Sequence, residues 1–419
     1  MILALLLACT AGGEAASTAL PPASAPPVEP PPPPVQVWTV DNIADLVPRA
    51  PARNTAVAKA IPALPAYETT LQTLGDIVET YDGDPENPWA VAHGILARGA
   101  ALKLADGRDA VSHVFATYAE PRTAGTHTLI GFPAEVGKIR VDPHTDLFLK
   151  NLSEAGVDPG ASYVTRQGTV PVADLYRWTL LKTFLVAQTN HSSYDGPNDM
   201  PWNVQALAAW APGPELQWKS LDGTPMDLDY LTDFLTAVVT QESAFMLEAM
   251  QKHQPFRREG QRLFAYTCGG AHLVQGASYA VGRGFGSATT RKAIEVQVPL
   301  LFYRLPLELS QLDEVIKAAP KQKQRLLVQR MKFLGHWLET ISKLQVMGFF
   351  VPDEAQLLAI EGAAQNLTLT VDQLGKTGAF DNLVAIRAED EQLYLDVIGD
   401  AAHAVRGLEL ALGRATLRW

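Results

Sequence analysis

Apolar side chains recur every three or four positions over most of the chain from Tyr67 onward, the spacing of helices with one face on a core. In the stretch 227–250, Leu231, Leu235, Val238, Phe245 and Ala249 form one stripe; in 322–346, Leu327, Met331, Leu334, Leu338 and Ile341 form another. The same reading predicts helices over 67–81, 88–105, 145–155, 172–187, 201–211, 263–281, 291–303, 353–374 and 383–412. Strand signals are few. The stretches 162–167 and 216–219, beside Gly168 and Asp222-Gly223, read as short hairpin arms.

The fold class expected is therefore mainly α, with a few short hairpin strands. Helices alternating with Gly, Pro and Asp loops resemble the α/α toroid shared by terpenoid cyclases, lanthipeptide cyclases and several polysaccharide lyases. An irregular multi-helix bundle is the alternative. No sequence repeat of 20 to 50 residues is evident, which speaks against a regular solenoid. Residues 37–350 read as the toroid-like domain. Val351-Pro352-Asp353 reads as a linker and helix start, making 351–419 a C-terminal helical cap on the same core.

The chain opens on an apolar run that ends Leu6-Leu7-Ala8-Cys9, which resembles the lipobox of bacterial lipoproteins. The resemblance implies a signal peptide over 1–8, a diacylated Cys9 as the new N-terminus, and the membrane as a partner through its acyl chains. Residues 9–36 read as the tether, since 21–34 is Pro-rich and ends in five consecutive prolines, an extended spacer rather than a packed element. Thr10, where an aspartate would retain a lipoprotein in the inner membrane, points by the same resemblance to the outer membrane, facing the periplasm or the surface. Only Cys9 and Cys268 exist, so with Cys9 acylated the fold is held without a disulfide. A net charge of -11 opposes nucleic acid as a partner.

Four places can carry chemistry. In Tyr266-Thr267-Cys268-Gly269-Gly270-Ala271-His272, Cys268 and His272 stand at i and i+4, so on a helix thiolate and imidazole share one face and can chelate one ion. Zinc is the one cofactor this suggests. Lanthipeptide cyclases use a Cys with a Cys-His pair in this manner, and Ala92-His93-Gly94-Ile95 looks like another of their short motifs. A further ligand would have to come from His93, His191 or a carboxylate.

The second place is Thr189-Asn190-His191-Ser192-Ser193-Tyr194-Asp195, followed by Asn203-Val204-Gln205-Ala206-Leu207-Ala208-Ala209, a loop between helices that resembles the Asn-His segment of toroidal alginate lyases. That resemblance implies Asn190 as the group offsetting a uronate charge, with His191 and Tyr194 moving the protons of β-elimination. A turn-ordering or capping role for His191 is the plainer alternative. Third, Glu242 falls on the apolar stripe of its helix, where a carboxylate must be paired or neutralised, and His93 lies on the same face as Trp89 and Leu96. Fourth, Gly282-Arg283-Gly284-Phe285-Gly286-Ser287 follows a helix rather than a strand and reads as helix termination, not as a phosphate loop.

The reading this leaves is a lipid-anchored protein whose helical domain binds a ligand or partner. The alternative is a tethered enzyme, either lyase-like around His191 and Tyr194 or zinc-dependent around Cys268 and His272. The two separate on geometry: an enzyme should gather His93, His191, Glu242 and His272 into one pocket.

Overall fold

A computed structural model describes residues 35–51, 58–258 and 262–419. Cys9, the apolar run before it and the Pro-rich stretch lie outside the described residues. Residues 36–419 form one compact unit.

The protein is mainly α. Thirteen helices are described: α1 (Pro65–Ile77), α2 (Pro88–Arg98), α3 (Ala110–Tyr118), α4 (Leu147–Ala155), α5 (Ala173–Lys182), α6 (Met200–Ala209), α7 (Leu228–Gln251), α8 (Ala271–Gly282), α9 (Ala288–Ala318), α10 (Lys323–Val346), α11 (Glu354–Gly375), α12 (Leu383–Glu389) and α13 (Glu391–Ala411). Six of them start on a side-chain cap. The side chains of Asn87, Asp109, Asp227, Ser287 and Asp390 accept a backbone N–H from the first turn of α2, α3, α7, α9 and α13, and Asp353 with Gln356 forms a reciprocal capping box on α11.

Six helices close into a ring. α2 packs beside α4, α4 beside α6, α6 beside α8, α8 beside α10, α10 beside α13, and α13 returns to α2. The intervening helices lie outside it: α3 on α2, α5 on α6, α7 across α6 and α8, α9 across α8 and α10, α11 on α10, and α1 on α13. The chain thus alternates between an inner and an outer layer, as in an α/α toroid.

Burial follows that alternation. Every residue of α6 is buried, as is α8 from His272 to Val281 and all of α2 except Trp89 and Arg98. A helix buried all round must be mostly apolar, and Ala, Val, Leu and Gly make up half or more of α2, α6 and α8. The outer α7 instead buries Leu228, Leu231, Leu235, Val239 and Met246 on one side, with Thr232, Thr236 and Ser243 among them, and leaves its other residues half-buried or exposed. A close seam joins α10 to α13, where a Cβ on Gly407 would stand 2.5 Å from the Gly335 carbonyl oxygen. Only glycine lets those two backbones approach so closely.

The strands are short antiparallel pairs on the periphery: Glu120–Ala124 with His127–Gly131, Glu135–Val136 with Ile139–Arg140, Ser162–Thr165 with Gly168–Pro171, and Leu185–Val186 with His191–Ser192. A further three-stranded patch pairs Gln217–Lys219 with Pro225–Asp227 and, in parallel, with Val37–Trp38. No described helix is long and apolar enough to cross a membrane.

Several expectations are corrected. α3 was not predicted. α9 runs through Pro299 and Pro306, well past 303, because packing against α8 and α10 offsets the lost hydrogen bonds. The helix expected over 383–412 breaks at Asp390. Residues 351–419 pack on the same core, with α13 completing the ring. The helix expected from 263 begins only at Ala271, since Cys268, Gly269 and Gly270 take left-handed φ angles of 53°, 59° and 78°. Cys268 and His272 therefore do not share a helical face.

Candidate metal centre

The inner ring encloses a cavity of about 310 Å³. Each inner helix projects a polar or aromatic side chain into it, among them His93 from α2, Lys150 from α4, Trp202 from α6, His272 from α8, His336 from α10 and His403 from α13.

At one wall the Sγ of Cys268 and a ring nitrogen from each of His272 and His336 lie within 4.8 Å of one another. The left-handed turn before α8 accomplishes this. Asn198 pins it on one side, accepting the Thr267 N–H at 3.1 Å and donating to the Thr267 hydroxyl at 2.8 Å. Arg304 pins it on the other, donating to the Gly269 carbonyl at 2.8 Å. Cys268 is the costly member, a non-glycine residue at positive φ, and such strain persists where surrounding structure enforces it. His272 packs against Trp202 (centroids 4.7 Å), whose indole in turn stacks on His144 (4.2 Å).

The histidines are prepared as ligands. His336 Nδ1 donates to the Lys332 carbonyl at 2.9 Å, which leaves Nε2 as the lone-pair nitrogen, buried and without a partner. His93 repeats the arrangement, Nδ1 donating to the Trp89 carbonyl at 2.8 Å. His403 donates from Nδ1 to Glu339 at 2.7 Å. Its ring stacks at 3.9 Å centroid distance on that of His336. Burial, together with the neighbouring imidazoles, holds His272 and His336 well below the usual imidazole range, and burial and His403 bring His93 down to about 3. These rings are neutral at physiological pH, the form that binds a metal. Burial pushes the Cys268 thiol up, with Asp400 adding to it; a bound cation reverses that, because it stabilises the thiolate directly.

Beside the cluster, Lys332 bridges Asp396 at 3.0 Å and Asp400 at 3.4 Å, and burial raises Asp400 to about 8. Below it the ring is plugged by buried charges. Lys343 Nζ contacts Glu339 at 2.6 Å and Glu154 at 2.7 Å; Glu154 also pairs with Lys150 at 3.0 Å and with Arg406 at 3.6 Å. Burial alone would raise both carboxyls, but Lys150, Lys343 and Arg406 overcome it for Glu154, and Lys343 and His403 for Glu339, so both stay ionised.

Of the residues singled out from sequence, Cys268, His272 and His93 converge on this cavity. The others do not. His191 is exposed on a peripheral hairpin, its ring 4.7 Å from that of Phe184, and Asn190 beside it sits in an exposed left-handed turn. Tyr194 is buried away from the cavity, its hydroxyl donating to Asn203 Oδ1 at 2.6 Å while Asn203 donates to Asp146 and Thr183. Glu242 lies on the outer helix α7, half-buried beside the seam rather than in it, because the buried stripe passes through Val239, Ser243 and Met246. The lyase constellation is thus not assembled. His336, Lys332, Asp400 and His403 were missed, although His336, Glu339 and Lys343 follow one another at three- and four-residue steps along one face of α10.

Compared with known proteins, the chain matches no protein-family model, no curated sequence and no solved structure.

Proposed function

We propose that the protein is a zinc-dependent enzyme, lipid-anchored through Cys9, whose helical ring holds the ion between Cys268, His272 and His336. The observation that carries this reading is the grouping of one sulfur and two imidazole nitrogens within 4.8 Å at the wall of a cavity. A sulfur-and-nitrogen donor set suits zinc, and three protein ligands leave a position open, as in catalytic rather than structural sites.

Zinc held there would supply a Lewis acid for a substrate oxygen. The protein's own residues do the rest. Trp202 packs against His272 and the Lys332 carbonyl orients His336, so little reorganisation accompanies binding. Lys332, Asp396 and Asp400 place a cation and two carboxyls beside the cluster, where they can hold a substrate's polar groups and move its protons.

The address stands on the sequence alone, on the lipobox and the Pro-rich tether, and places the ring on an outer-membrane leaflet. Elemental analysis of protein purified without chelator tests the enzyme reading: about one zinc per chain is expected. Cys268→Ser and His336→Ala should each lower that content while the far-ultraviolet spectrum stays helical. Metal-free protein that takes up no zinc on titration would contradict the proposal.

A further inference from the structure

The cavity does not end at the cluster. It shares Trp89, Arg140 and Leu395 with a groove of about 220 Å³. It also shares Cys268 and Lys332 with a separate cleft of about 160 Å³. Two arms, the groove and the cleft, therefore adjoin the cavity, the second of them at Cys268. We infer that the ligand held across the cluster is a linear glycan with sugar units in both arms, uncharged in the units that fill the groove. This names a substrate class for the proposed enzyme, and rests on that reading for turnover but not for binding.

Three observations select the chemistry. The groove is polar without a preferred sign, since Glu86, Glu135 and Glu391 face Lys138, Arg140 and Arg387. A polyanion or polycation would meet as much repulsion as attraction there. On the cavity wall, Asn151 is fully buried, its Nδ2 donates to the Ala92 carbonyl at 2.8 Å, and its Oδ1 has no partner. Nearby His93 offers the lone pair of Nε2, its Nδ1 being spent on Trp89. Two acceptors on one wall call for a ligand donor, and a hydroxyl supplies one where a carboxylate or phosphate would be repelled.

Trp89 decides between hydroxyl-bearing ligands. Its half-buried indole lines both the cavity and the groove, braced by His93 at 4.1 Å and by Gly399, where a Cβ would come within 2.6 Å of the ring. A rigid apolar face beside hydrogen-bonding groups matches a pyranose, with its C–H faces and rim of hydroxyls. A peptide would instead seek a strand edge to extend, and the hairpin lining this groove has two residues in each strand.

The test is an array of immobilised linear glycans and of peptides, probed with the full-length protein. Titrations then follow tryptophan fluorescence with the best-retained hexasaccharide and its disaccharide. Retention of neutral glycans is expected, with the hexasaccharide bound about ten-fold tighter than the disaccharide because both arms are filled. Trp89→Ala should weaken that binding by about ten-fold and Trp89→Phe by less, with zinc content unchanged in both. Retention of peptides alone, retention of no glycan by folded protein, or equal affinity for the two sugars would overturn the inference. Glycan binding by protein that takes up no zinc would support it while removing the metal reading.

Discussion

His403 donates from Nδ1 to Glu339 across 2.7 Å at the centre of the ring, and Lys343 holds the other carboxylate oxygen at 2.6 Å. This joins the cavity above to the buried charges below: α13 supplies the imidazole, α10 the carboxylate and the ammonium, and α4 the second carboxylate through Glu154. One ionised side chain fixes a tautomer and balances a buried cation at once.

Removing that carboxylate leaves Lys343 short of an anion in a region with almost no solvent access. Glu339→Gln should lower stability by about 3 kcal/mol, since breaking a buried pair by deleting one partner leaves an uncompensated charge. Urea denaturation measures it. A change below about 0.5 kcal/mol, the scale of an ordinary surface substitution, would show that the plug is not held together by these pairs.

Helix type and approximate position were legible for α7, α10 and α11 because their apolar stripes repeat at helical spacing over five or more turns. α3 escaped because nine residues give too few turns to establish a period. In the site, Cys268 and His272 were legible as a pair of metal-binding types close in sequence. A left-handed turn, and not a continuous helix, brings the two together. His336 and His403 were illegible as ligand-like groups because they lie on α10 and α13, 67 positions apart, and only ring closure makes them neighbours.

Stability should depend on pH through Asp142. Burial, reinforced by Asp146, raises its carboxyl to about 8, although Phe148 donates an N–H to it at 3.1 Å. The unfolded group titrates near about 3.9. Between these values the folded chain binds the extra proton, so this residue's contribution favours folding less and less as pH rises from about 4 to 8. Asn at this position keeps the acceptor for Phe148. Asp142→Asn should therefore be more stabilising, relative to the unsubstituted protein, at pH 8 than at pH 5, by about 1 kcal/mol or more. Equal effects at both pH values would contradict the assignment.

Tyr194 and His191 should part company. Tyr194→Phe removes a buried hydroxyl that donates to Asn203, at a cost of about 1–2 kcal/mol. His191→Ala, on an exposed hairpin, should change stability by less than about 0.5 kcal/mol. Neither should alter zinc content. Thermal denaturation with metal analysis checks both; zinc loss in His191→Ala would place that loop at the cluster.

X-ray absorption at the zinc edge of the purified protein reads the donor set itself. The proposed centre predicts one sulfur neighbour at about 2.3 Å and at least two imidazole nitrogens at about 2.0 Å, with the sulfur contribution gone in Cys268→Ser. A shell of nitrogen and oxygen alone in the unsubstituted protein, or no bound zinc to measure, would contradict it.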